Sequence, residues 1–203
     1  MLSRMRAAAI VILLAALAAS PPRAADPPLA LEPLMAALAQ NGPGTVRFAE
    51  TKTSALLKMP IESSGTLTYA APSRLEKHTL APRDERFAVD GDTVVIEMAA
   101  RNAAEKRRFE LHLGDYPAIR AFVESIRGTL AGDLAALRRY YRVELDGTWS
   151  DWRLHLLPSD PQMAELVLKV LIGGAGGEVR RIEILEASGD RSVMTITKPK
   201  DRG

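Results

Sequence analysis

The sequence contains no cysteine and only three histidines. The absence of cysteine excludes structural disulfides, thiol catalysis, thiolate metal sites and a lipid-modified N-terminal cysteine. The histidines, His78, His112 and His155, lie far apart, and none has a metal-ligating residue at i+2 or i+4. We therefore expect each histidine to be a strand or turn residue, and we expect no metal and no cofactor.

Motifs of enzymatic catalysis are also missing. No serine stands in a G-x-S-x-G motif, and the glycines of "GGAGGE" (173–178) lack the G-x-G-x-x-G spacing that binds a phosphate. Asp90 and Asp92 flank a glycine, which favours a structural role in a turn. We expect no enzymatic activity, since a hydrolase would need Ser63 or Ser192 to lie beside a histidine in the folded chain.

The N-terminal residues predict an export signal. The uncharged apolar run at 7–19 follows Arg4 and Arg6 and precedes a stretch of small residues and prolines. This run is shorter than the ~18 to 20 residues that span a bilayer, so a removable signal over residues 1–25 is favoured over a membrane anchor. Candidate cleavage points follow Ser20, Ala24 and Ala25. We expect a periplasmic protein.

The charge of the chain gives little support for a nucleic-acid partner. Three of the 27 Lys and Arg residues lie in the predicted signal, and without them basic and acidic residues (25) nearly balance. The basic clusters at 105–110 and 138–142 are therefore interpreted as solvated strand and helix faces rather than nucleic-acid or membrane patches. No low-complexity linker divides residues 26–203, which we expect to form a single domain.

Helical periodicity is limited to a few segments. The first carries apolar residues at i, i+3, i+4 and i+7, namely Leu31, Leu34, Met35 and Leu38. The second repeats that spacing with Ile119, Phe122, Val123 and Ile126. We expect the first helix to stop at Asn41-Gly42, the second to begin near Pro117 and end before Gly128, and a short third helix over 133–139 to be capped by Asp133.

Most of the remaining sequence alternates between apolar and polar residues with period two, which predicts strands with one apolar face. The apolar positions include Val46 and Phe48, Leu67 and Tyr69, Val94 and Ile96, Phe109 and Leu111, Tyr141 and Val143, Trp152 and Leu154, Ile182 and Ile184, and Met194 and Ile196. Predicted turns lie at Asp90-Gly91, Asp146-Gly147, 173–177 and Gly189-Asp190.

About ten short strands joined by tight turns predict an antiparallel sheet, because parallel pairing needs a crossover connection. A sheet of that length curls, and the amphipathic helices have few other surfaces on which to bury their apolar stripes. The expected fold is therefore mainly β with α: a curved antiparallel sheet forms an incomplete barrel, closed by two or three helices as a lid. The alternative is an ordinary packed core.

Several segments, taken in order, resemble the LolA-type periplasmic carrier family, which ferries lipoproteins to the outer membrane. The resemblance covers most of residues 30–198. Its most specific positions are Phe48 and Glu50, Gly65-x-Leu67, Pro72, Asp90-Gly91 and Gly189-Asp190-Arg191-Ser192. The resemblance implies an incompletely closed barrel with a helical lid and an apolar cavity for acyl chains. It also implies an inner-membrane donor complex and an outer-membrane acceptor as partners of a monomer.

One position departs from the family pattern. The family's basic residue before the corner proline, which helps to hold the lid shut, is matched here by Ala71, and Arg74 is the candidate replacement. The cargo implied by this departure is either an acylated lipoprotein or another outer-membrane lipid. The alternative function is a lipid-sensing or scaffold domain that resembles envelope-stress regulators and acts through a protein partner.

Loosely packed walls are expected around such a cavity, because cargo must leave it. Methionine suits such a surface, as at Met98 and Met194. On the sheet side we expect lipid contacts from Leu67, Tyr69, Leu75, Val94, Ile96, Met98, Leu111 and Leu113. On the lid we expect them from Phe122, Ile126, Leu130 and Leu134. For each of these residues the alternative is plain core packing.

Overall fold

The computed structural model describes residues 29–71, 73–99 and 106–198, and within them one antiparallel sheet of 11 strands. The strands are β1 (Gly44–Thr53), β2 (Ile61–Ala70), β3 (Arg74–Ala81), β4 (Glu85–Asp90), β5 (Thr93–Ala99), β6 (Lys106–His112), β7 (Tyr141–Thr148), β8 (Asp151–Pro158), β9 (Val167–Ala175), β10 (Glu178–Glu186) and β11 (Arg191–Thr197). The helices are α1 (Leu31–Ala39), α2 (Pro117–Ala131), α3 (Leu134–Tyr140) and α4 (Pro161–Ala164), and a 3-10 turn spans Leu113–Asp115.

The strand order is β6-β5-β4-β3-β2-β1-β11-β10-β9-β8-β7, so the first and last strands of the sequence meet in the middle of the sheet. In the described residues, β6 and β7 each pair with one strand only, and the sheet is not closed into a barrel. The predicted fold class, a large antiparallel sheet with helices, is confirmed. The predicted signal (1–25) and Pro72 lie outside the described residues. No helix in the described part is long and apolar enough to cross a membrane.

The helices follow the predicted periodicity, with one correction. Helix α1 ends at Ala39, before Asn41, and the Asp133 carboxylate caps α3 by accepting a hydrogen bond from the Ala136 amide at 2.8 Å. The predicted end of α2 before Gly128 is wrong, because α2 continues to Ala131 and ends at Gly132 with φ 65°. Leu137 of α3 lies over Gly128, where a Cβ would come within 2.8 Å of it.

One predicted turn is also misplaced. Asp146-Gly147 lies inside β7, and the turn to β8 is formed by residues 149 and 150. Gly147 has φ 101°, and a Cβ there would lie 2.2 Å from the Asp151 carbonyl oxygen of β8. Glycine therefore stands here because the two paired strands approach closely, and not because the chain reverses direction. The turns at Asp90-Gly91 and Gly189-Asp190 are confirmed. The predicted turn at 173–177 is too long, because residues 173–175 belong to β9 and only 176 and 177 form the turn.

The packed core lies on two sides of the molecule. The larger cluster joins α1, α3 and α4 to β7–β9 and reaches the middle strands through Phe48, Ile182 and Met194. It includes Trp152, whose indole N–H donates to the Gly176 carbonyl at 2.8 Å. A smaller cluster joins the start of α2 to the β4–β5 hairpin through Val89, Val94 and Val123. The concave face of the middle strands lies between the two clusters.

Tight packing around Gly65 accounts for the glycine of the Gly65-x-Leu67 motif. A Cβ on Gly65 would lie 1.9 Å from the His78 carbonyl oxygen on β3 and 3.0 Å from the Phe48 ring. We expect Gly65→Ala to lower the free energy of unfolding by about 1–3 kcal/mol, as overpacking does. Urea denaturation measures this change. Gly44→Ala, in β1 with open space around its Cβ position, is the control, and equal losses in both variants would contradict the packing argument.

Candidate functional site

A cavity of about 1410 Å³ lies between the concave face of the sheet and helix α2. Its walls come from β1 to β5 on one side, from β9 to β11 on the other, and from one face of α2. Most of the lining side chains are apolar, and many are only half-buried. The side chains of the middle strands therefore do not fill the space that they enclose.

Many of the predicted wall residues line this cavity. From the sheet these are Leu67, Tyr69, Leu75, Ile96 and Met98, and from α2 they are Phe122, Ile126 and Leu130. The three α2 residues are spaced at i, i+4 and i+8, so they lie on one face of the helix. That these residues contact a lipid stays a prediction.

The remaining predicted residues lie elsewhere. Val94 and Leu113 are fully buried in the smaller cluster, and Leu111 packs against that cluster. Leu134 packs against the larger cluster. Five of the predicted residues that line the cavity also pack against a cluster at their edges, so what distinguishes Leu111 and Leu134 is that neither lines the cavity. The first turns of α2 pack directly on the end of the β4–β5 hairpin, so the concave face at Val94 is covered, and the cavity begins two residues further along β5.

Sequence reasoning missed part of the wall. Phe87 of β4, Ile182 of β10, Ile196 of β11 and Ile119 of α2 also line the cavity. The alternation of β10 and β11 was visible in the sequence, but the pairing of β11 with β1 was not. Because that pairing places the last strand beside the first, it brings the C-terminal strands onto the cavity wall.

Arg127 fastens α2 to the sheet. Its guanidinium donates to the Ser73 carbonyl in the β2–β3 turn and, at 2.8 Å, to the Gly91 carbonyl in the β4–β5 turn. It also pairs with Glu124 at 3.1 Å, and the residue is 8% exposed. Arg74, the residue considered from the sequence, is instead exposed at the start of β3, with its nearest charged partner, Glu76, at 3.8 Å. The contact between helix and corner therefore comes from the helix side.

A partly buried charged cluster interrupts the apolar wall at Glu50 on β1. Its carboxylate accepts hydrogen bonds from Lys77 at 2.5 Å, Ser192 at 2.5 Å and Ser63 at 3.2 Å. The Lys77 ammonium also lies 5.0 Å from the centroid of the Phe48 ring. Burial acts to raise the pKa of Glu50, but the Lys77 charge and the three hydrogen bonds outweigh it, so the pKa lies below its usual value.

This cluster predicts a pH-dependent stability. Because folding lowers the pKa of Glu50, its ionised carboxylate stabilises the fold above pH 4.5, the ordinary value, and that contribution is lost as the pH falls through the folded pKa. We expect Glu50→Gln to lower the free energy of unfolding by about 1–3 kcal/mol at pH 7 and by less at pH 3. Urea denaturation at the two pH values measures the difference. An equal loss at both would exclude the carboxylate charge as the cause.

A second charged group lies further along β1. Lys52 pairs with Glu186 at 2.8 Å and lies 3.9 Å from Asp190, and both Lys52 and Glu186 line the cavity. These residues are partly exposed, so they mark a place where the cavity meets solvent. We call this place the Lys52 mouth.

The arrangement gives no support to hydrolysis. The hydroxyls of Ser63 and Ser192 donate to Glu50 rather than to a histidine. His78 pairs with Asp84 and His155 with Asp146, each at 2.7 Å. In the described ranges, no group of three or more His, Asp or Glu side chains is placed to hold a metal ion.

The chain matches a family model described as "Outer membrane lipoprotein carrier protein LolA-like" over residues 19–197. The resemblance drawn from the sequence motifs is thereby confirmed. No curated protein sequence matches the chain.

Several solved structures are similar at low sequence identity. A LolA superfamily protein from Nitrosomonas europaea shares 13% identity, with a TM-score of 0.44, over 85% of this chain and 93% of that one. A DUF1329 family protein from Desulfovibrio piger shares 9%, with a TM-score of 0.38, over 85% and 92%. The MucA/MucB complex of Pseudomonas aeruginosa shares 13%, with a TM-score of 0.39, over 84% of this chain and 57% of the matched one.

Proposed function

Since the chain belongs to the family of LolA-like outer membrane lipoprotein carrier proteins, we propose that it is a periplasmic carrier that shields the acyl chains of a lipoprotein or another outer-membrane lipid. The observation that carries this proposal is the cavity of about 1410 Å³ with its largely apolar wall. Its volume exceeds the roughly 300–1,000 Å³ of an ordinary small-molecule site.

Acyl chains need such a shield to cross water. Burial is worth about 0.8 kcal/mol per methylene group, so a sixteen-carbon chain gains on the order of 12 kcal/mol on entering an apolar cavity. Cargo binding then requires no covalent chemistry, and the protein acts as a carrier rather than an enzyme. Met98 and Met194 on the wall suit cargo of varied shape, because their flexible side chains repack easily.

The charged groups of the wall fit the polar part of an amphiphile. Glu50 and Lys77 both line the cavity, and each retains hydrogen-bonding capacity beyond the pair that they form. A lipid whose chains lie against Leu67, Ile96 and Phe122 would place ester or amide groups within reach of this pair. In this proposal residues 1–25 direct export, and donor and acceptor proteins in the two membranes load and unload the cargo.

The direct test is chemical identification of the cargo. The mature protein would be purified from periplasm, and co-purified lipids identified by mass spectrometry. In parallel, displacement of a fluorescent fatty-acyl probe by saturated fatty acids of eight to fourteen carbons would be measured. We expect affinity to increase about fourfold per added methylene. Absence of both lipid and probe uptake would overturn the carrier function and favour the sensing or scaffold alternative.

A further inference from the structure

The loop between β1 and β2 exposes large apolar side chains to solvent. Within and beside residues 54–60, Leu56 is 94% exposed and Met59 is 76% exposed, and Leu57 and Ile61 are each more than two-fifths exposed. Lys58 is the only charged residue between positions 54 and 61. Single exposed apolar residues are common on protein surfaces, but three in one short loop and a fourth directly after it mark an interaction site.

This loop lies beside the Lys52 mouth. Lys52 is two residues before the loop and forms its ion pair with Glu186. Ala187, which follows Glu186 in the chain, donates its backbone N–H to the Leu166 carbonyl at 3.0 Å. Leu166 lines the cavity and is also 57% exposed, so the apolar wall continues out to the surface at this point. The loop and this exposed part of the wall belong to the same region.

We propose that the β1–β2 loop inserts into the surface of a phospholipid bilayer and brings the Lys52 mouth against the membrane. The chemistry of the loop matches the layers of that interface. Leucine and methionine side chains enter the acyl region, while the Lys58 ammonium, on its flexible stem, reaches the phosphates. Residues 54–61 carry no acidic side chain, and the nearest, Glu62, follows the last of the exposed apolar residues, so the loop itself does not repel anionic headgroups.

The consequence for cargo rests on the proposed carrier function. An acyl chain that leaves the cavity through a mouth in contact with a bilayer passes from one apolar environment to another. Its methylenes then avoid exposure to water, which would otherwise set the barrier for release. Contact between loop and membrane is a separate property and is measurable without any cargo.

The first experiment places an environment-sensitive dye on the loop. Because the chain has no cysteine, Leu56→Cys gives a single labelling site, and Ala71→Cys, exposed in the turn at the other end of β2, gives the matched control. Vesicles of phosphatidylethanolamine and phosphatidylglycerol are then added. We expect a blue shift and lipid-quencher accessibility at position 56 and neither at position 71. No shift at 56, or equal shifts at both, would overturn the proposal.

The second experiment leaves the loop unlabelled. We expect Leu56→Asp/Met59→Asp to reduce vesicle partitioning at least tenfold in flotation assays, and Lys58→Glu to reduce it on phosphatidylglycerol vesicles alone. Uptake of the soluble acyl probe should be unchanged in both variants, since the loop lies outside the cavity wall. The proposal would be overturned if the double variant floated as well as the wild-type protein. It would also be overturned if the wild-type protein did not float at all, which is the result expected for a loop that binds only a protein.

The two proposals fail in different ways. Acyl-probe uptake without vesicle binding would overturn membrane insertion and leave the carrier function standing. Vesicle binding without probe uptake would overturn the carrier function and leave insertion of the loop standing.

Discussion

A glutamate in place of Ile96 or Phe122 abolishes uptake of a fluorescent acyl probe. Both side chains line the cavity, Ile96 on the sheet and Phe122 on the helix that covers it. A carboxylate at either position loses its hydration when an acyl chain fills the cavity, and an unpaired buried charge is far more costly than a buried polar group. We expect probe affinity to fall at least about a hundredfold, as measured by fluorescence titration.

Neighbouring residues of β11 provide a matched control. Ile196 lines the cavity, whereas Thr195 is exposed and paired in register with Ala49 and Arg181. We expect Ile196→Glu to weaken probe binding severely and Thr195→Glu to leave it unchanged. Melting temperatures of both variants separate loss of binding from loss of folding. Equal effects of the two substitutions would mean that the two faces of the strand are wrongly assigned.

Replacing Arg127 with alanine loosens the attachment of helix α2 to the sheet. The substitution removes the donors to the Ser73 and Gly91 carbonyls and leaves Glu124 without its partner. Hydrogen bonds to a charged group are each worth about 1.5–3 kcal/mol, so we expect the free energy of unfolding to fall by about 2–4 kcal/mol. We also expect faster release of a bound acyl probe. Urea denaturation and stopped-flow dissociation measure the two effects.

Arg120 of the same helix is the control for Arg127. It pairs with Asp92 at 3.1 Å, and the Asp92 side chain is half exposed, so solvent weakens the pair. We expect Arg120→Ala to change the free energy of unfolding by less than about 1 kcal/mol and to leave probe release unchanged. Equal effects at the two positions would argue against a specific fastening role for Arg127.

Local patterns were sufficient to predict much of the fold. Period-two alternation identified most of the strands, although not β9, and the i, i+3, i+4, i+7 spacing identified α1 and α2, because each pattern depends only on neighbours in the sequence. The same local reasoning failed at Gly128 and Gly147. In both cases glycine allows a close approach to another element, to Leu137 of α3 and to Asp151 of the paired strand respectively, and glycine at a chain reversal looks the same in sequence.

The site was less predictable than the fold. Alternation shows that Val94 and Ile96 share a face of β5, but it does not show that α2 covers the first of them and leaves the second open to the cavity. That difference depends on where a helix that begins more than 20 residues later crosses the sheet. Glu50 was noted within a family motif, but Ser192, one of its hydrogen-bond partners, is 142 residues away.

The sheet of the described residues is open between β6 and β7, the two ends of its strand order, and under the proposed function this opening affects which sizes of cargo fit. In the described residues β6 and β7 each have one paired neighbour, so no continuous ring of backbone hydrogen bonds fixes the circumference. We expect a change in sheet curvature to widen the gap between β6 and β7 without breaking a ladder hydrogen bond, with α2, which packs on both clusters through Ala121 and Val123, limiting how far the gap opens. Under the proposed carrier function, we expect a longer or branched hydrocarbon to widen this gap, and the distance between spin labels on β6 and β7 measures the widening.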